Sequence, residues 1–293
     1  MARRSTLFAL AGAAALTAAA AACAPAKDGS SSSSSSAGAT SSAACTKDQL
    51  HLYTAGRLTV GTDKPAYEPW FKSNDPSNGQ GFESAVAYAV ATKLGFAKTE
   101  VKWATVPFDS SYAPGAKKFD FDINQVSITP DRAKVVTFSD GYYDVAQGVV
   151  TMKGSKYASI SSVSQLQGAK IAVQVGTTSL TAVQNQIKPS TQAKVFNDQV
   201  DAVNALKNKQ VDAIVVDLPT AFYVTAAQVP NSVIAGQLPN TGASTEQFGM
   251  LFQKGNSLVT CVNQALGQLK SSGELAKIQQ QWLTSSAGAP VLK

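Results

Sequence analysis

Apolar and polar side chains alternate from Phe119 to Asn124, with Phe119, Phe121 and Ile123 set against Asp120, Asp122 and Asn124. This period of two predicts a half-buried strand. The pattern then breaks into Gln125, Ser127 and Thr129, followed by Pro130, a residue suited to the first helical position. FDFDINQVSITPDRAKVVTFSDGYY (119–143) therefore predicts a strand, a polar turn, a short basic helix capped by Thr129, and a second strand. Elsewhere strand-like runs alternate with helical ones. LTVGTD precedes a helix over 82–94, WATVPF a helical patch, KIAVQVGT a helix near 178–187, KVFND one over 199–208, and VDAIVVD one near 218–227. In the 82–94 helix, Phe82, Ala85, Val86, Ala89, Val90 and Leu94 form one apolar face, Glu83 favours the first turn, and Gly95 ends it. The segment 257–283 repeats the pattern with Leu258, Val262, Leu266, Leu269, Leu275, Ile278 and Trp282. Such alternation predicts parallel sheets wrapped by helices, an α/β fold.

Arg132 falls in the first turn of the helix opened by Pro130, just past a strand end ringed by short polar side chains. Open α/β sheets bind ligands at strand ends, and a guanidinium there can grip a carboxylate through two parallel hydrogen bonds. A solvated surface arginine is the plainer alternative for spacing alone. Asp217, closing the apolar run VDAIVVD, is either a ligand for a cation or the N-cap of a helix that continues through Pro219.

The chain's first 22 residues read as a leader, with Arg3 and Arg4 before an Ala-rich apolar stretch too short to span a membrane. The leader ends in AAAC, which resembles a lipoprotein signal with Cys23 as the lipid acceptor, although Ala20 stands where such signals usually carry leucine. Arg3-Arg4 leaves open twin-arginine export beside the general route. Residues 23–45 form a Ser/Gly/Ala-rich tether with little to bury. Formal net charge is +6, two of those charges lie in the leader, and no basic run alternates with aromatics, so nothing argues for nucleic acid. His51 is the only histidine, and no Walker loop, GxSxG elbow or His/Cys/carboxylate cluster is present. That argues against a metal site, a cofactor, or hydrolysis with a histidine base.

Eight motifs occur in order: LTVGTD (58–63), AYEPW (66–70), GFE (81–83), KKFDFDINQVSITPDR (117–132), FSDGYY (138–143), VQVGTT (173–178), VDAIVVD (211–217) and FGMLFQKGN (248–256). Together, from Leu58 to Trp282, they resemble the family 3 solute-binding proteins of ABC transporters, which capture polar amino acids. The resemblance implies a two-lobed periplasmic-binding-protein-like fold of type II, with two open, mostly parallel sheets joined by a two-strand hinge. It places lobe 1 at 46–146 and 249–293, lobe 2 at 147–248, and the crossings near Val145–Val150 and Phe248–Phe252.

It also implies a site for a zwitterion. Arg132, in the SITPDR context, would hold the carboxylate, and Asp217 the ammonium. Thr177 and Thr178, after Gly176 at a helix start, would meet the carboxylate from the second lobe, with Gln174 from the same VQVGTT run in the ligand set. Asp63, Tyr67, Trp70 and Phe108 would line the side-chain subsite. Asn124, Gln125 and Ser127 replace the small Ser/Gly trio common in relatives, narrowing the pocket or adding hydrogen bonds. Asp63, Glu68 and Glu83 would suit a basic amino acid, and Asn124 and Gln125 a neutral polar one. Asp122 is unusual where relatives are apolar.

With Cys23 lipidated, Cys45 and Cys261 remain as a pair in an oxidising compartment, which predicts a disulfide. The expected protein is an extracytoplasmic, lipid-anchored monomer. It would pass its ligand to a membrane permease and ATPase. The alternatives are an enzyme on the same fold (a dehydratase or peptidoglycan-cleaving relative using Glu68 or Glu83 as acid) and a ligand sensor for a signalling receptor.

Overall fold

The structure, a computed structural model, describes residues 45–242, 245–283 and 288–293. The leader, Cys23 and most of the tether lie outside the described residues. The chain builds strands β1 (Leu58–Thr62), β2 (Val101–Thr105), β3 (Phe121–Asp122), β4 (Val136–Phe138), β5 (Tyr143–Val145), β6 (Gln147–Met152), β7 (Ile171–Gln174), β8 (Lys194–Phe196), β9 (Ala213–Asp217), β10 (Ser232–Gln237), β11 (Glu246–Phe248) and β12 (Leu251–Gln253). Between them lie helices α1 (Phe82–Lys93), α2 (Phe108–Ser111), α3 (Pro130–Val135), α4 (Thr178–Ala182), α5 (Gln199–Lys207) and α6 (Leu218–Tyr223), followed at the end by α7 (Leu258–Ser271) and α8 (Glu274–Leu283).

Two five-stranded sheets result, ordered β2-β1-β3-β12-β4 and β8-β7-β9-β6-β10, with β5 and β11 pairing as a separate two-stranded ribbon. The sheets share one plan. In the first, β1 runs parallel to β2 and β3, while β12 is antiparallel to both β3 and β4. In the second, β7 runs parallel to β8 and β9, while β6 is antiparallel to both β9 and β10. Four of the five strands in each sheet thus run one way. The reversed strand is the one that enters just after a hinge strand, β6 after β5 and β12 after β11. The fold is α/β, two-lobed and of type II.

Cores follow the patterning with one shift. Helix α1 buries Phe82, Val86, Ala87, Val90 and Ala91, and also Glu83 and Ser84. The buried arc includes Ala87 and Ala91 where the sequence predicts Ala85 and Ala89, and both α7 and α8 pack against α1. Cys45 and Cys261 form a disulfide that ties the start of the described chain to α7 across 216 residues. A loop of that length contributes about 5 kcal/mol in the chain-entropy account.

The C-terminus departs from its expected place. Residues 288–293 lie on the second sheet, not with lobe 1. The Gln237 amide donates to the Pro290 carbonyl, the Leu292 amide to that of Gln237, and the Val163 amide to that of Lys293. Leu292 is buried in the second lobe's core. Gly236 makes this approach feasible, since a Cβ there would fall 2.7 Å from the Leu292 side chain. The tail covers the exposed edge of β10, a common way to protect an unpaired strand.

Candidate functional site

The ends of β1, β3, β7 and β9 and the turns that follow them face one another, as in other open α/β sheets that bind ligands. Between them is a cavity of about 40 Å³. Eleven of the twelve residues expected at the ligand line it: Asp63, Tyr67, Phe108, Asn124, Gln125, Ser127, Arg132, Gln174, Thr177, Thr178 and Asp217.

Arg132 reaches the cavity because Thr129 caps α3, its hydroxyl accepting the Arg132 amide at 3.2 Å, with Pro130 at the helix start. The residue is 8 % exposed, so the surface-arginine alternative fails. Nη1 donates to the Ser127 carbonyl at 2.7 Å, and Nη2 crosses to the other lobe, donating to the Gly176 carbonyl at 2.9 Å. The guanidinium also lies 4.7 Å from the Tyr112 ring centre and 5.5 Å from that of Phe108. Burial lowers its pKa from the usual value, but an arginine so far above neutrality stays charged. Gly176 takes a left-handed φ of 70°, and a Cβ there would sit 2.2 Å from the Tyr112 hydroxyl. Both counts favour glycine.

Thr177 spends its hydroxyl on local structure, accepting from the Leu180 amide at 3.1 Å and donating to the Gln174 carbonyl. Thr178 is the threonine that bridges, its Oγ1 lying 3.4 Å from both the Ser127 Oγ and the Gln147 Nε2. Asp217 stands at the N-cap position of α6 yet makes no cap bond. Its Oδ1 instead accepts from Gln147 Nε2 at 2.9 Å, so the helix-cap alternative is not the one adopted. As a residue Asp217 keeps some exposure, but its carboxyl group is surrounded by protein. Burial pushes its pKa up to about 8, with the nearby Glu246 carboxylate adding to the rise and Arg132 opposing it.

At the other end Asp63 accepts from the Lys64 amide at 2.7 Å. Burial raises its pKa, and Asp109 and Asp198 add repulsion. The Tyr67 hydroxyl and the Asn124 amide nitrogen are buried without a hydrogen-bond partner. Such atoms are costly to leave unpaired. Gln125 sits at a left-handed φ of 50°, held by Glu83: its amide donates to Glu83 Oε1 at 2.7 Å and its side chain to Oε2. The Tyr142 hydroxyl also donates to Glu83, whose pKa rises to about 7 through burial.

Trp70, expected in the side-chain subsite, does not line the cavity. It is fully buried, packed edge-on against Phe82, Tyr143 and Phe248 at 5.5–6.0 Å, and its indole N–H donates across the lobes to Thr220 at 3.0 Å. Asp122 faces neither the cavity nor solvent; both its oxygens are buried without a partner, and burial raises its pKa well above the ordinary carboxylate range. Sequence reasoning missed Tyr112, Gln147 and Glu246. Tyr112 was detectable, since it lies four residues after Phe108 in one helical patch. Gln147 and Glu246 carry no local signal, because the hinge alone brings them together.

Two lobes that hold a guanidinium and a carboxyl group against one cavity, with a paired-strand hinge, match the architecture of a solute-binding protein. The chain belongs to the bacterial extracellular solute-binding proteins, family 3, whose profile matches residues 58–285. It is similar to the arginine-binding extracellular protein ArtP of Bacillus subtilis, 27 % identical over 237 residues, covering 78 % of this chain and 86 % of that protein. It is also similar to the L-cystine-binding protein TcyA of Bacillus subtilis, 32 % identical over 233 residues and covering 78 % and 81 %. Among solved structures, an ancestral arginine-binding protein bound to glutamine shares 34 % identity at a TM-score of 0.65, covering 78 % of this chain and 98 % of that one. No helix among the described residues is long and apolar enough to cross a membrane.

Proposed function

We propose that this protein captures a polar amino acid between its lobes and delivers it to a membrane permease and its ATPase, acting as a monomer held to the membrane by lipid on Cys23. Arg132 takes the ligand's carboxylate, with Thr178 meeting it from the second lobe. Asp217 takes the ammonium. Asp63, Tyr67 and Asn124 meet the ligand's side chain.

The observation that carries this reading is the pairing of Arg132 and Asp217 from different lobes on one cavity. A zwitterion satisfies both, and two such charge-assisted contacts plus a side-chain fit reach the ~8 kcal/mol of micromolar binding. The cavity's volume of about 40 Å³ is room for little more than a water molecule. Admission therefore requires the lobes to part, with the ligand's carboxylate displacing the Gly176 carbonyl from Arg132. Asp63, with Asp109 and Asp198 nearby, favours a cationic ligand side chain; the unpartnered Asn124 and Tyr67 groups suit any polar one.

An enzyme on this fold is the second reading. One solved structure similar to this chain is an ancestral amino-acid-binding protein described as a precursor of cyclohexadienyl dehydratase, 31 % identical with a TM-score of 0.65. Against it, neither Glu68 nor Glu83 lines the cavity, and Glu83 is committed to Gln125 and Tyr142. A thermal-shift screen over the common amino acids tests the proposal. A ligand at 100 times its Kd stabilises by about 2.7 kcal/mol, and it should be recovered unchanged. A screen without a shift, or a ligand converted on incubation, would overturn it.

A further inference from the structure

Glu246, on the hinge strand β11, lies outside the cavity's lining yet touches a neighbour of each end of the charged clamp. Its Oε1 accepts from the Ser127 hydroxyl at 2.5 Å. The carbonyl of that same Ser127 holds Arg132 Nη1. Its Oε2 lies 3.3 Å from Gln147 Nε2, which also donates to Asp217. Gln147 is fixed in turn by the Ser179 hydroxyl, which donates to its Oε1 at 2.5 Å. One carboxylate, on a strand of the two-stranded ribbon that joins the lobes, thus ties a first-lobe residue behind the guanidinium to a second-lobe residue beside the aspartate.

We propose that Glu246 is a positioning residue that couples both charge clamps of the site to the hinge, so that closure and alignment of Arg132 and Asp217 occur together. This rests on the amino-acid-binding reading, and it adds a part for a side chain that does not meet the ligand. The neighbouring charges agree with it. Asp217 faces Glu246 from β11, Glu83 from α1, Arg132 from α3, and Tyr142 and Tyr143 at the start of the hinge. Of these acids Glu246 raises Asp217 the most, and it also supports the charge on Arg132.

The test uses the full chain with Glu246→Gln and Glu246→Asp. Carboxyl-carbon NMR follows the titration of Asp217 without ligand, and calorimetry follows amino-acid affinity against pH. In Glu246→Gln the Asp217 midpoint should fall by on the order of one pH unit as a like charge is removed. The pH at which affinity levels off should fall with it. At pH 8.5, where Asp217 is largely ionised in both proteins, affinity should drop about tenfold through lost alignment. Glu246→Asp keeps the charge and loses the reach, so the Asp217 midpoint should stay near its original value while affinity falls. An unchanged Asp217 titration together with unchanged affinity in Glu246→Gln would overturn the coupling. Should the unaltered protein bind no amino acid, the binding proposal fails, and the Asp217 titration alone still decides whether Glu246 is coupled to the site.

Discussion

The two ends of the cavity are built on opposite principles. Around Arg132 and Asp217 the polar groups find partners within the protein: two carbonyls and two aromatic rings for the guanidinium, an amide for the aspartate, and a shared network through Ser127, Thr178 and Gln147. Around Asp63 the Tyr67 hydroxyl and the Asn124 amide are buried and unpartnered, and three acids crowd one another. The satisfied end can grip what every amino acid shares and be rigid in doing so. Under the proposed function, the unsatisfied end carries a desolvation cost that the right ligand side chain relieves, which is how a site rejects near misses. Affinity is therefore expected to come from the first end and selectivity from the second.

Breaking the first end should give the largest effects. Arg132→Ala should lower affinity for every amino acid by at least ~30-fold, since a buried charged partner contributes about 2–5 kcal/mol; calorimetry reads this directly. Gly176→Ala comes next. The substituted Cβ meets the Tyr112 hydroxyl, and the left-handed backbone resists it. Affinity should fall roughly tenfold or more at a strain of about 1–3 kcal/mol.

Asp217→Asn separates binding from stability. The Asp217 pKa of about 8 lies above its unfolded value of 3.8, so the folded protein holds a proton that the unfolded chain releases between roughly pH 4 and 8. Stability without ligand should accordingly decline as pH rises through that window, with Glu83 contributing in the same direction between about 4.5 and 7. Asp217→Asn removes its share of the decline, so the variant should melt higher than the original at pH 8 while binding amino acids more weakly. Melting curves at pH 5 and pH 8 give the comparison.

The smallest effect belongs to the selective end. Tyr67→Phe deletes an unpartnered hydroxyl, so stability without ligand should hold or rise by up to about 1 kcal/mol. The rank order of amino acids should change while affinity for the preferred one falls only several-fold. If Tyr67→Phe weakened all amino acids equally, the division of labour between the two ends would be wrong.

Much of this was legible in the sequence, for identifiable reasons. Local periodicity gave the strand and helix order, and Thr129-Pro130 placed Arg132 correctly because a helix cap is a short-range device. The aspartate closing β9 was visible as a charge at the end of an apolar run, although only the structure shows that its carboxyl bonds to Gln147 and does not cap α6. What patterning could not supply depends on distant partners. The buried Glu83 reads as an ordinary first-turn acid until Gln125 and Tyr142 are folded against it. Trp70 reads equally well as a pocket wall or a core ring, and the packing of Phe82, Tyr143 and Phe248 decides for the core. The C-terminal residues have no periodicity to show which edge strand they cover.

The proposed function stands or falls on two opposite charges from separate lobes closing on one zwitterion. The decisive experiment is calorimetric titration of the unaltered protein with its preferred amino acid, the corresponding amine lacking the carboxylate, and the corresponding acid lacking the ammonium. Above pH 8, where Asp217 is ionised, each analogue should bind at least ~30-fold more weakly than the amino acid, because each leaves one buried charge unmatched. Either analogue binding as tightly as the amino acid would contradict it.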